Sequence, residues 1–521
     1  MTAANCKLLE QLFQQGTINL VRGLIFDQAP SPLHAEFDFD KIEGMMLGLA
    51  IGDALGNTSE GQLPSARRGR YGEIRDYLPN RYAEGRRVGL PSDDTQLAFW
   101  TLEQMLDDGG FVPARVAERF SRGRIFGIGS TMRQFLRNYK SGLSWEHCGA
   151  PSAGNGALMR IAPILIPHLR TRTTGLWADA ALCAMLTHND AGSATACVAL
   201  VSMLWQLLAM TTPPPAQWWL ETYVDVAREL EGDTRYRPRS EQVAAYEGPI
   251  WRFVQERVGA AFRNNRSVLE AGGSWYSGAY LLETVPSIVY ILMRHGHDPE
   301  EAIVRAVNDT KDNDTIAAIV GAAVGALHGR AGLPSRWIVN LLGRTTDDDD
   351  GRGFELLEAA RDQWWSSCDA RRDGRLANGG TSHDPIQAEL KSIEEQTGSS
   401  LDDDSIRLLA VVRRRHLVSD QEWERIKGFL RDALAFLSTP NRLQVEDEVG
   451  RIVICPDLDP RNANWLRLLA ANRLAGRVLP MWAALWLWWL RIDTSSKFWK
   501  DVGRIAADMG FEPFSVQGDR R

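Results

Sequence analysis

Between Phe39 and about Gly343, apolar residues recur at three- and four-residue intervals, and hardly any stretch alternates as a strand would. The pattern predicts helices punctuated by glycine and proline: Ile42–Leu55, Gln96–Leu106, Met132–Tyr139, Trp177–Met185, Ala191–Leu208, Leu281–Met293 and Ile316–Leu327. In the first, Gly44, Gly48, Gly52 and Gly56 fall at every fourth position, a smooth stripe that permits close backbone approach. Asp53 and Glu43 sit among these glycines and the run is short, so tight packing inside a soluble helical domain is expected rather than pairing of membrane spans. Ahead of it, Leu8, Leu9, Leu12 and Phe13 share helical spacing until Ala29-Pro30-Ser31-Pro32 breaks it. Residues 1–39 thus form an N-terminal extension, docked, frayed, or free as an arm that binds something.

The pattern changes after Gly343. Residues 346–403 read as a polar linker region, opening on the acids Asp347–Asp350, which are expected to be solvated. Residues 404–521 read as a smaller, mainly helical C-terminal domain. It carries a basic helix edge at Arg413-Arg414-Arg415 and a two-strand element, Arg442–Val445 with Arg451–Cys455. Trp482, Trp486 and Trp489 fall on one helix face there, and no catalytic constellation appears. The overall class is all-α, an orthogonal helical bundle followed by the smaller domain.

Composition narrows the function. A chain of 521 residues exceeds one ordinary core. A net charge of −7 argues against a general nucleic-acid or anionic-membrane binder. The six cysteines form no Cys-x-x-Cys pair, which fits a reducing cytoplasm and argues against thiolate-bound zinc. Ile18–Phe26 is too interrupted for a secretory leader, and Ile316–Leu327 and Val478–Leu490 fall short of the roughly 18 residues that span a bilayer. A cytoplasmic protein with no membrane partner is expected.

The candidate chemistry lies at helix starts. Ser92-Asp93-Asp94-Thr95 and Asp312-Asn313-Asp314-Thr315 each place two carboxylates and a threonine hydroxyl just before an apolar helical run. Such residues cap helices, and the same oxygens suit a hard divalent cation. Two copies of one arrangement favour a shared metal site. Phe126-Gly127-Ile128-Gly129-Ser130-Thr131 and Ser152-Ala153-Gly154-Asn155-Gly156 are glycine loops ahead of helices, able to turn amides toward phosphate or to serve as plain turns. Arg160 could pair with a phosphate or a core-edge carboxylate. His188, between two apolar helices, reads as an interhelical hydrogen-bonder or a ligand. Trp275, Tyr276 and Tyr280 could stack on a base or pack in the core. Glu60, past the glycine-rich helix, carries little weight alone.

Taken in order, the residues Gly52-Asp53-Ala54-Leu55-Gly56 with Glu60, Ser92–Thr95, Gly127–Thr131, Gly154–Arg160, Thr187-His188, Ser277–Tyr280 and Asp312–Thr315 resemble the ADP-ribosylglycohydrolases. That family includes dinitrogenase reductase-activating glycohydrolase and the ADP-ribosylarginine hydrolases. The resemblance runs from about Ile42 to Arg330. It implies an all-α domain at 40–345 and two Mg²⁺ or Mn²⁺ ions held by Ser92, Asp93, Asp94, Asp312, Asp314 and Thr315. It places Glu60 beside the scissile bond as a catalytic residue together with Asp314. Gly127, Gly129, Ser130, Gly154, Asn155, Gly156 and His188 would line the ADP-ribose, with Tyr280 near the adenosine end. The implied activity is release of ADP-ribose from arginine side chains of modified proteins. Arginine-directed members carry an aspartate where this chain has Gly127, so that contact to the departing guanidinium is missing or supplied elsewhere. This keeps hydrolysis of O-linked ADP-ribose, on serine or a small ester, as an alternative. The extension before Ile42 resembles the arm of immunity proteins that block ADP-ribosyltransferase toxins. It implies a cognate toxin as partner and, as a third alternative, a protein that only sequesters it. Deleting residues 1–38 is then expected to abolish toxin binding and spare hydrolysis.

Overall fold

The computed structural model describes residues 2–33, 37–347 and 349–366, and beyond them isolated positions and two short strands. The chain divides into two compact units, 1–376 and 377–521. The first is all-α, with no strand among its described residues beyond isolated bridges.

Its centre is one helix pair. Asp40–Asn57 is buried continuously from Ile42 to Gly56, and Asn313–His328 from Asn313 to Leu327. Helices apolar all round belong inside a core. The glycine stripe meets a matching stripe of small residues running the opposite way. Gly44 lies against Gly325 and Gly329, Gly48 against Gly321, Gly52 against Ala317, and Gly56 against Asp314. Four helical glycines cost roughly 1 kcal/mol each in propensity. Backbone-to-backbone contact along the whole seam offsets that through dispersion, which side chains would forfeit by wedging the helices apart. The seam also sets a register: it brings the C-terminal end of one helix, with Asp53, beside the N-terminal end of the other, with Asp314.

The sequence-predicted helices occur with slightly wider bounds, as Asp93–Asp108, Ser130–Lys140, Gly175–Met185, Ala191–Ala209 and Leu281–His295. Ala191–Ala209 is long and apolar enough to cross a bilayer, but 89% of its apolar window is buried, which makes it a core helix.

The N-terminal segment is docked. Helix Thr2–Gln15 buries Leu9 and Leu12, and the stretch after it buries Ile18 and Phe26. Asn5 donates to Asp179 Oδ1 at 2.7 Å and to the Phe111 carbonyl at 2.9 Å, closing over the buried His168–Asp179 pair. Segment 346–366, assigned above to the polar linker region, is built into the same unit. Helix Arg352–Arg361 buries Leu356, Leu357 and Ala360. Asp349 accepts from the Thr345 amide and hydroxyl, and Asp350 pairs with Arg344 at 2.7 Å. These acids close a turn instead of standing free in solvent.

In the second unit, Gln444–Glu446 pairs antiparallel with Arg451–Val453, Val445 opposite Ile452. The Arg413–Arg415 edge, the Val478–Leu490 run and the tryptophan face at 482, 486 and 489 lie outside the described residues.

Candidate active site

The helix seam delivers the first carboxylates. Asp53, fully buried, accepts from the Ser92 amide at 2.9 Å, the Thr95 amide at 3.1 Å and the Thr95 hydroxyl at 2.5 Å. It therefore clamps the start of helix Asp93–Asp108, where unpaired amides and the helix dipole favour an anion. Ser92 caps that helix, its hydroxyl 3.3 Å from the Asp94 amide and donating to Asp94 Oδ2 at 2.9 Å. Asp93 and Asp94 project from the first turn.

Opposite them, Asp312 is the N-cap residue of Asn313–His328. Its Oδ2 accepts from Asn155 Nδ2 at 2.6 Å, which ties the Gly-Asn-Gly loop to the acidic start. The turn before it is held by Arg67. This buried guanidinium donates to the carbonyls of Val307 at 2.9 Å and Thr310 at 2.8 Å. Two carboxylate groups result: Asp53 with Asp94 and Asp314, and Glu60 with Asp312 and Asp314, each with one oxygen per residue within 4.8 Å of the others. Asp314 belongs to both.

A cavity of about 560 Å³ opens over this cluster. Glu60, Asp93, Asp94, Asp312, Asp314 and Thr315 line one side, and Gly127, Gly129, Ser130, Gly154, Asn155, Gly156, His188 and Tyr280 line the rest. Every candidate site residue except Ser92 reaches this wall, and Ser92 stands behind Asp94.

The loops are positioned by contacts distant in sequence. Gln96, buried, accepts from the Phe126 amide at 2.8 Å and donates to the carbonyls of Arg124 and Thr345, which holds Gly127 in place. Gly127 has φ +57°, and a β-carbon there would lie 3.0 Å from Asp93 Oδ1. Thr131 and Ser152 join the two glycine loops through hydroxyls 3.0 Å apart. Asn155 donates its amide to the Ala279 carbonyl, and Leu281 donates to Ala153, which lays Tyr280 beside Gly154.

At the Tyr280 side of the cavity Arg239 makes two bonds to Glu283, of 2.8 and 2.6 Å, with its guanidinium 5.5 Å from the Tyr280 ring centre. Trp275 is core: it is 1% exposed and donates to Ser287 Oγ. Arg160 has no carboxylate partner among the described residues. It is fully buried and donates to Cys183 and Thr187.

Sequence reasoning left Asp53, Arg67, Gln96, Arg239 and Glu283 without roles. Asp53 carried a signal, a carboxylate on the buried glycine stripe, which a core helix tolerates only with partners.

The cluster is electrostatically costly as it stands. Burial first, then mutual repulsion with Asp53, pushes Asp93 and Asp94 well above the usual carboxylate range. Burial and the charges of Asp94 and Asp312 do the same to Asp314. Burial pushes Asp312 up to about 6, although the Asn155 amide opposes it. Burial in the cavity mouth and the Asp53 charge also raise Glu60.

The sequence profile of the family described as ADP-ribosylglycohydrolase matches residues 34–371, nearly two thirds of the chain. The chain belongs to the ADP-ribosylglycohydrolase family. Relatives of this glycohydrolase include the ADP-ribosylarginine hydrolase Tri1 of Pseudomonas putida, 28% identical over 59% of this chain and 75% of that one. The ADP-ribosyl-[dinitrogen reductase] glycohydrolase of Rhodospirillum rubrum is 24% identical over 58% of this chain and 90% of its own. The ADP-ribosylhydrolase ARH3 of Xenopus tropicalis is 23% identical over 62% and 96%.

ADP-ribosylglycohydrolases are metal-dependent, and the carboxylates here fit a cation. The donor set is all oxygen, the preference of hard divalent ions. Asp94 Oδ1 is buried with no hydrogen-bond partner among the described residues, an acceptor left over for something positive.

Proposed function

We propose that this glycohydrolase cleaves the N-glycosidic bond between ADP-ribose and an arginine side chain, using two Mg²⁺ or Mn²⁺ ions at the acidic cluster. One observation carries this reading: Asp314 is shared between two carboxylate groups beneath a cavity walled by glycine loops. Asp53 and Asp94 would complete one ion's set, and Glu60 and Asp312 the other's. Bound there, such ions supply Lewis acidity toward water and the ribose hydroxyls.

The chain's own groups do the rest. The C–N bond breaks with its electron pair going to nitrogen, so the protonated guanidinium of the substrate leaves as neutral guanidine. The anomeric carbon gains oxocarbenium character, which the surrounding carboxylates favour. Water adds to that carbon, and Glu60 at the cavity mouth takes its proton; a raised carboxylate is the stronger base. The likeness to Tri1, named as an ADP-ribosylarginine hydrolase, supports the arginine linkage.

Gly127 favours a second reading. With no side chain beside Asp93, the leaving-group end lacks one carboxylate, which suits a smaller O-linked group on serine or an ester. The physiological setting we propose is immunity against an ADP-ribosyltransferase toxin. Leu24, 67% exposed on the docked N-terminal segment, gives such a partner an apolar foothold.

Incubation with arginine- and serine-ADP-ribosylated proteins, with and without chelator, tests the activity. Chelator-sensitive release from arginine is expected. Release from serine alone would move the assignment to the second reading, and release from neither would leave a sequestering protein.

A further inference from the structure

His188 is held in place by Arg160 and Thr187. Arg160 donates through Nη1 to the Cys183 sulfur at 3.2 Å, and through Nη2 to the Cys183 carbonyl at 3.0 Å and Thr187 Oγ1 at 2.8 Å. Thr187 Oγ1 lies 2.9 Å from His188 Nδ1, and Thr187 is 1% exposed. An arginine only donates, so the threonine oxygen receives. The hydroxyl's single proton then has one acceptor among the described residues, the Nδ1 lone pair. In the opposite tautomer, Nδ1–H would aim a second donor at that oxygen and strand the buried hydroxyl proton, which folded proteins avoid.

The proton of the imidazole is therefore on Nε2. That atom faces the Gly154-Asn155-Gly156 loop and has no protein partner among the described residues. β-Carbons at Gly154 and Gly156 would stand 3.5 and 3.2 Å from it, so the two glycines keep the space before it clear.

We propose that Arg160 and Thr187 are positioning residues: two directed hydrogen bonds fix His188 as a neutral Nε2–H donor aimed at an oxygen acceptor of the bound ligand. The acceptor is a phosphate oxygen or a ribose hydroxyl, and its identity rests on the ADP-ribose reading, whereas the tautomer does not. Burial, and next the Arg160 charge, hold the imidazole pKa down at about 3, in keeping with a ring that works uncharged.

Long-range ¹⁵N–¹H correlation on the full chain labelled with ¹⁵N-histidine reads the tautomer directly, with His188 assigned by its loss in His188→Gln. The parent is expected to show a bare Nδ1 and a protonated Nε2. Thr187→Val should shift His188 toward the other tautomer and weaken ADP-ribose binding about tenfold, the worth of one neutral hydrogen bond. Thr187→Ser should restore both. A protonated Nδ1 in the parent, or an unchanged tautomer in Thr187→Val, would overturn the proposal. So would a changed tautomer with unchanged ADP-ribose affinity. A parent with the expected tautomer but no ADP-ribose binding would instead refute the functional reading alone.

Discussion

Gly48 lies against Gly321 so closely that a β-carbon on either would meet the other's carbonyl oxygen, at 2.1 Å from Gly48 and 2.0 Å from Gly321. Backbone cannot give way as a flexible side chain can. Gly48→Ala is therefore expected to part the two central helices and cost about 3 kcal/mol, at the upper end of overpacking. It should also lower activity beyond its effect on folding, because the same seam holds Asp53 beside Asp314. Gly69→Ala is the control. It lies in helix Pro64–Tyr71 with nothing near its β-position and should gain about 0.5–1 kcal/mol. Thermal unfolding of both variants checks the contrast, and equal Tm values would remove the seam from the account.

The seam also shows what a sequence makes legible. A stripe of glycines at helical spacing announces close packing, because period and residue size are local properties. Its partner stripe, Ala317, Gly321 and Gly325, was equally local but hidden in an apolar run that looks like ordinary core. The paired Ser-Asp-Asp-Thr and Asp-Asn-Asp-Thr motifs were visible because capping and metal ligation use the same short-range oxygens. The clamp that Asp53 forms on that helix start was not, since its partners Ser92 and Thr95 are brought to it only by packing. Gln96, Arg67 and the Arg239–Glu283 pair share that fate: each acts on a loop or turn remote in sequence, and no spacing rule encodes such reach.

Asp94 carries the clearest electrostatic consequence. Its carboxyl is buried among other carboxyls, and one oxygen has no partner among the described residues. In chelated protein, Asp94→Asn is expected to be more stable than the parent, because the fold no longer has to bury a carboxyl that must either take up a proton or bear a charge among its neighbours. In Mg²⁺ or Mn²⁺ the order should reverse, with the parent's Tm rising and the variant's barely moving. Asp314→Ala should lose ADP-ribose release while remaining folded. A variant at Asp314 with normal turnover in added Mg²⁺ would sink the shared-ligand assignment.

Cation binding at this cluster should release protons. Burial raises Asp312 to about 6 and Asp93, Asp94 and Asp314 well above the usual carboxylate range, so protons compete with a cation for this cluster. A raised carboxylate stabilises the metal-free fold at low pH and loses that contribution as pH climbs through its folded value. Apparent metal affinity is thus expected to fall steeply below about pH 6. Calorimetry in buffers of different ionisation enthalpy measures the proton count; a count of zero at pH 7 would contradict the raised values.

Removing residues 1–38 should not spare hydrolysis, contrary to what a free arm would predict. Asn19 clasps Asn189 reciprocally, its amide donating to Asn189 Oδ1 at 2.9 Å and its side chain to the Asn189 carbonyl at 2.8 Å. Asn189 directly follows His188, which lines the cavity. Truncation uncovers the faces under Leu9, Leu12 and Phe26, and several kcal/mol of stability should go with them. Asn19→Ala alone should leave the fold intact and raise KM for the ADP-ribosylated substrate a few-fold. Unchanged Tm and kinetics in the truncated chain would return the segment to the status of an arm.

His188 gives the sharpest pH signature, with a sign opposite to the carboxylates. Its folded pKa of about 3 lies below the unfolded value of roughly 6.5, so below pH 6.5 the unfolded chain binds a proton that the folded one refuses. Stability from this site is intact at neutral pH and drains away as pH falls from 6.5 toward 3. Between pH 7 and pH 5 the loss comes to about 2 kcal/mol. His188→Gln cannot take up that proton and should escape the loss. Urea unfolding of both proteins at the two pH values, in chelator, isolates the effect, because the acidic cluster contributes equally to each and cancels in the difference. Parallel pH dependence of parent and variant would mean that His188 is free to charge, and the buried neutral ring behind the proposed donor would have to be abandoned.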